Sequence, residues 1–62
     1  MGFGKELREL LKERNLSQET IAKAIGVSQR AVSKWINGQS EPTESNIVAC
    51  AKYFNITADE IL

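Results

Sequence analysis

The stretch SQETIAKAIGVSQRAVSKWINGQ, Ser17 to Gln39, decides how the chain folds. Its apolar residues recur at helical spacing twice, once before Gly26 and once after it. Ile21, Ala22 and Ile25 fall at i, i+1 and i+4, which predicts a helix over 18–25 with those three inside. Val32, Trp35 and Ile36 fall at i, i+3 and i+4, the inner face of a second helix over 29–37. Ser17 and Ser28 each precede a run, where a serine oxygen accepts from a free amide of the first turn. Glu19, early in the first run, suits the positive end of a helix dipole. Gly26 supplies positive φ at no steric cost and so stops the first helix. Val27 is expected to be buried in the turn. The second helix turns Gln29, Arg30, Ser33, Lys34 and Asn37 outward.

On the N-terminal side, KELRELLKER over 5–14 reads as another helix, with Leu7, Leu10 and Leu11 as its apolar stripe and Arg14 at the next step. Phe3 is expected to cap that stripe. Lys5, Arg8, Glu9, Lys12 and Glu13 mix signs at i,i+4 spacing, which reads as a solvated face rather than a binding patch. Asn15 can adopt the left-handed conformation that ends helices, and Leu16 turns back toward the core. On the C-terminal side, Asn37-Gly38 ends the helix that starts at Gln29, and Pro42 biases Glu41 away from helix. Thr43 caps a fourth helix with Ile47, Cys50, Ala51 and Phe54 inside, closed by Asn55. After Ile56, Thr57 caps a last turn over 58–62, where Ile61 and Leu62 close the core. No segment alternates with period two, so no strand is predicted. The expectation is an all-α, compact five-helix fold in one domain spanning 1–62.

Composition narrows the function. A chain of 62 residues buries only about 60% of its unfolded surface, which leaves no room for a cleft between two domains. It has no His and one Cys, Cys50, which excludes an intramolecular disulfide and a Cys/His zinc site. Cys50 reads as a small core residue, consistent with a reducing compartment. There is no Gly-rich phosphate loop and no nucleophile–base pair, so enzymatic activity is not expected. No cofactor, metal or small-molecule ligand is expected either. No apolar run approaches the roughly 20 residues of a membrane span. MGFGKELREL lacks a signal-peptide apolar region, and Glu6 stands where a myristoylation motif wants Ser or Thr. A cytoplasmic location is expected. The net charge is zero but polarised: +1 over 1–16, +2 over 17–40 and −3 over 41–62.

Two helices crossing over a short turn can place the second in the major groove of DNA. Such a crossing needs a small residue on the first helix, here Ala22, a glycine in the turn, here Gly26, and apolar flanks, here Ile21, Ile25, Val27, Val32 and Trp35. Polar residues on one short helix are ordinarily just solvated; inside this turn signature they read as DNA contacts. The segment LSQETIAKAIGVSQRAVSKWINGQSEPT over 16–43 resembles the lambdoid phage repressor and Cro type (XRE-like) of helix-turn-helix domain. AKYFNITADEIL over 51–62 resembles that family's fourth and fifth helices. The likeness covers about 7–62.

The resemblance implies binding to double-stranded operator DNA, usually as a two-fold homodimer, on half-sites about 34 Å apart. It implies that Gln18 holds a phosphate and braces Gln29 through a side-chain bridge. Gln29 and Arg30 match base-reading positions, for which adenine and guanine are the geometric partners. Lys34 and Ser33 lie one turn on along the same face. Ser28, Asn37, Gln39 and Ser40 match phosphate contacts, which position without reading sequence. Trp35 reads as core rather than as a stacking platform.

Two departures from the family stand out. Many relatives place an Arg late in the first helix and a Glu before the Asn-Gly, as a largely buried ion pair; here those positions are Leu11 and Ile36. Leu11 and Ile36 are expected to touch, and Leu11→Arg alone to lower the melting temperature strongly. Glu41 stands in a loop that is often basic, which implies a modest salt dependence. The dimer surface is expected in the acidic last third, at Glu44, Tyr53, Ala58 and the final turn. The alternative is a protein-interaction module, such as an antitoxin or regulatory adaptor on the same fold; an outward apolar patch on the third helix would have favoured it. Ending at Leu62, the sequence fits a whole Cro-like protein or the N-terminal domain of a longer repressor.

Overall fold

Five helices follow one another in the computed structural model, which describes residues 2–61: α1 Phe3–Arg14, α2 Gln18–Ile25, α3 Gln29–Ile36, α4 Glu44–Phe54 and α5 Ala58–Ile61. No strand occurs among the described residues. Leu62, expected to close the core, lies outside them.

Local chemistry sets most helix ends. Thr43 Oγ1 accepts from the Asn46 amide at 3.2 Å at the start of α4. Asn15 and Asn55 both take the left-handed conformation, with φ of 57° and 59°. In each case the next amide reaches back along the helix: Leu16 N–H donates to the Leu11 carbonyl at 2.8 Å, and Ile56 N–H to the Ala51 carbonyl at 2.9 Å. These bonds satisfy carbonyls that a helix end otherwise leaves orphaned.

α1 begins two residues earlier than its stripe predicts. Phe3 does not sit ahead of the helix but inside its first turn, buried against Trp35 of α3 with ring centroids 5.8 Å apart and planes at 77°. That edge-to-face contact holds a helix start that has no side-chain cap. At the next residue the α1 and α3 backbones touch. A Cβ on Gly4 would run into the Trp35 carbonyl oxygen, so the crossing requires glycine there.

The buried core is Phe3, Leu7, Leu11, Ile21, Ala22, Val32, Trp35, Cys50, Ala51, Phe54 and Ile61. Val27, expected to be buried, is only half-buried, and so are Leu10, Leu16, Ile25, Ile36, Ile47 and Ile56. These side chains form a rim, because a chain this small has one layer of interior and the stripe margins reach solvent. Leu11 belongs to the core, Ile36 packs on its rim, and both line one hollow. Cys50 is fully buried, and burial pushes its thiol up to about 11, so it stays neutral.

Arg14 has a role its spacing does not reveal. Its Nη2 donates to the Phe54 carbonyl at 3.2 Å, and its guanidinium lies 5.5 Å from the centre of the Phe54 ring. A cation thus sits at the negative end of α4 and ties it to the end of α1. The charges along α1 form no ion pair with one another. The ion pair among the described residues is Lys23–Glu19 at 3.4 Å, on α2.

Candidate nucleic-acid interface

α2 and α3 start alike. Ser17 Oγ accepts from the Thr20 amide and Ser28 Oγ from the Ala31 amide, both at 3.1 Å. Between the helices, Gly26 takes φ +79°, and the Gly26 and Val27 amides both donate to the Ala22 carbonyl at 3.0 Å. One carbonyl thus fixes the turn at both of its residues. Ala22 is buried and adds only a methyl group, which lets α3 pack closely across α2.

α3 is divided sharply. Val32 and Trp35 are buried, while Gln29, Arg30 and Lys34 are exposed. Ser33, grouped with them from spacing, is half-buried, at the edge of the outward face. Trp35 packs edge-on against Phe3, so its ring is a core anchor and not a platform for a base. α3 ends at Ile36, one residue short of the expected end, because Asn37 keeps φ −83° as the cap and the positive φ falls on Gly38.

The remaining candidates surround α3. Asn37, Gln39 and Ser40 are exposed just beyond it. The Gln39 and Ser40 amides turn back to the Lys34 carbonyl, at 2.8 and 3.4 Å, so this loop offers side chains outward rather than backbone donors. Ser28 is exposed; its oxygen accepts the capping bond, and its hydroxyl proton is left to donate. Gln18 is half-buried at the start of α2. No hydrogen bond joins it to Gln29 among the described residues, so the expected bridge is not made. Two long side chains, one of them exposed, gain too little from one such bond to offset the rotamer freedom it removes. Arg30 and Lys34 have no carboxylate within ion-pair distance among the described residues.

The same corner holds a feature the spacing did not reveal. The end of α1, the start of α2 and the end of α3 enclose a hollow lined by Arg8, Leu11, Lys12, Asn15, Leu16, Ser17, Gln18 and Ile36. Arg8 and Lys12, read from sequence as part of a mixed solvated face, stand together here.

A helix-turn-helix family model matches residues 7–61. The chain belongs to the helix-turn-helix family. Within that family it is of the lambdoid repressor and Cro type. This helix-turn-helix chain is 37% identical over its whole length to the HTH-type transcriptional activator BcrR of Enterococcus faecalis, covering 30% of that protein. It is 36% identical over 97% of its length to the HTH-type transcriptional regulator DicA of Escherichia coli, covering 44% of it. It is 30% identical over 97% of its length to repressor protein C2 of Salmonella phage P22, covering 28%. It therefore spans less than half the length of each of these relatives. Among solved structures, the P22 c2 repressor in complex with a synthetic operator superposes at a TM-score of 0.90, with 29% identity over 100% of this chain and 94% of that one. The restriction-modification controller protein C.AhdI of Aeromonas hydrophila gives 0.89, with 35% identity over 97% and 91%. No helix among the described residues is long and apolar enough to cross a membrane.

Proposed function

We propose that this helix-turn-helix chain binds double-stranded operator DNA sequence-specifically, as a transcriptional repressor or regulator of phage or bacterial type. Residues 1–62 act as one DNA-binding unit in the cytoplasm. α3 lies in the major groove, where Gln29 reads adenine and Arg30 guanine, with Lys34 and Ser33 one turn behind. Gln18, Ser28, Asn37, Gln39 and Ser40 hold phosphates and set the register. The observation that carries this reading is the outer face of α3: exposed, polar, with two cations that pair with no carboxylate among the described residues, on a helix anchored from behind by Val32 and Trp35. The similarity to a repressor solved on its operator supports it.

A single small module reaches few phosphates, so binding is as a homodimer. Its surface is the outer side of α4 and α5, at Glu44, Tyr53 and Ala58. Tyr53 and Val48, each 40% exposed, are the large apolar side chains that α4 leaves to solvent.

Binding-site selection from random duplexes, run with the parent and Arg30→Ala, tests the reading. Arg30→Ala is expected to relax preference at one base pair per half-site, by about 1–3 kcal/mol of discrimination. Uniform weakening at every position would make Arg30 a phosphate contact instead. A parent that is not retained on heparin or duplex DNA even at low salt would favour the protein-interaction adaptor.

A further inference from the structure

We propose that Asn37-Gly38 is a site of spontaneous covalent modification: the Asn37 amide converts to a carboxylate, slowly while the end of α3 stays folded, and the converted chain binds DNA less tightly. The loss of binding rests on the DNA-binding reading above; the chemistry itself does not.

The chemistry needs an asparagine whose following backbone nitrogen can reach its own side chain. In water the Gly38 amide gives up its proton to hydroxide, and the nitrogen attacks Asn37 Cγ. The new N–C bond closes a five-membered succinimide, and the side-chain nitrogen leaves as ammonia. Water then adds to one of the two imide carbonyls and breaks the bond from that carbonyl to the ring nitrogen. Opening at Cγ gives aspartate; opening at the main-chain carbonyl gives isoaspartate. Water is consumed, ammonia departs, nothing is oxidised or reduced, and a neutral side chain becomes an anion.

The chain has four asparagines, and the residue after each one sorts them. Asn15, Asn46 and Asn55 precede Leu16, Ile47 and Ile56, whose branched side chains crowd ring closure. Asn37 precedes a glycine, which adds no side chain and allows either sign of φ. The structure sorts them the same way. The half-buried Leu16, Ile56 and Ile47 hold their amides to carbonyls at 2.8, 2.9 and 3.0 Å. The Gly38 amide donates to the Trp35 carbonyl at 3.2 Å, and both Asn37 and Gly38 are exposed. A Cβ on Gly38 would meet nothing within 4 Å. No hydrogen bond holds the Asn37 side chain among the described residues.

The folded end of α3 restrains the reaction. Asn37 has ψ −1°, which turns the Gly38 nitrogen toward the backbone nitrogen of Asn37 and away from its side chain. Ring closure must break the bond to Trp35 and rotate ψ, and the Gln39 and Ser40 amides must leave the Lys34 carbonyl for the loop to follow. Opening at a helix end costs less than global unfolding, so the reaction runs through that local opening. A duplex along α3 holds the loop shut. Once formed, the carboxylate stands beside the phosphates, and like-charge repulsion replaces a polar contact.

The test incubates the parent at neutral and mildly alkaline pH, alone, with the duplex selected above, and in urea. Products are separated by anion exchange and mapped by peptide mass spectrometry. An acidic form is expected whose change lies in the peptide containing Asn37, with ammonia released in equal amount. It should form faster at higher pH, fastest in urea and slowest with duplex. Asn37→Gln, whose ring would need six members, should not form it at a comparable rate. The isolated acidic form is expected to bind the duplex about tenfold more weakly than the parent. Asn37→Asp, which keeps the backbone intact, should show the same loss, and the loss should shrink as salt rises. Modification first at Asn15, Asn46 or Asn55 would overturn the site, and equal rates in folded protein and in urea would overturn its restraint by the fold. An acidic form or Asn37→Asp that binds as tightly as the parent would overturn the consequence for DNA. A parent that binds no duplex overturns the DNA-binding reading and that consequence with it, while the mapping decides the modification by itself.

Discussion

α2 and α3 are eight residues each, and each begins at a serine whose oxygen accepts from the amide three residues on, at 3.1 Å. They differ in what becomes of their charges and in what they turn inward. On α2, Glu19 and Lys23 are one turn apart and pair with each other, so its outer face is electrically closed. α3 carries no acidic residue, and Arg30 and Lys34 have no carboxylate within ion-pair distance among the described residues. Inside, α2 contributes Ile21 and the small Ala22, which leave room for a neighbour; α3 contributes Val32 and the bulky Trp35, which fix it to α1. Identical capping chemistry therefore makes both helices. The two differ in the charge that one outer face leaves unpaired among the described residues, and in side-chain volume on the inner faces.

The largest way to break this contrast is to cut the anchor of α3. Trp35→Ala is expected to cost about 3–5 kcal/mol, which leaves a domain of this size mostly unfolded by far-UV circular dichroism. A cooperative transition near that of the parent would show that α3 is held some other way. Gly4→Ala tests the same crossing from α1. The new methyl group must push the α1 and α3 backbones apart, at about 1–3 kcal/mol in denaturant unfolding.

The likeness of the two helices is sharpened by their caps. Ser17→Ala and Ser28→Ala are each expected to lose about 1 kcal/mol. Markedly unequal losses would mean that one helix depends on its cap more than the shared geometry implies. The smallest stability effects separate the outer faces. Lys23→Gln and Lys34→Gln should each change stability by less than about 0.5 kcal/mol, since both sites are exposed. Only Lys34→Gln should weaken DNA binding and lower its salt slope, by about 1. Equal effects of the two on binding would erase the distinction between a closed and an open face.

Features governed by near neighbours were legible in the sequence. The capping roles of Ser17, Ser28 and Thr43 and the left-handed ends at Asn15, Gly26 and Asn55 all depend on atoms within about five residues. The core stripes were legible because helical periodicity puts every third or fourth side chain on one side. Their margins were not, as Val27 and Ile36 show, because depth is set by how much of the molecule lies above a position. The outward set on α3 was legible as a set, but not the retreat of Ser33 to its edge or the lack of a Gln18–Gln29 bond.

By itself, the sequence determined five helices, the capped starts of α2, α3 and α4, the turn at Gly26 and the polar face of α3, since each follows from spacing and short-range hydrogen bonding. Only the tertiary structure decided that α1 starts on Phe3 and crosses α3 at Gly4, that Arg14 closes the end of α4 forty residues away, and that Arg8 and Lys12 meet Gln18 over one hollow. Those depend on where separate helices come to lie, and no local pattern carries that information.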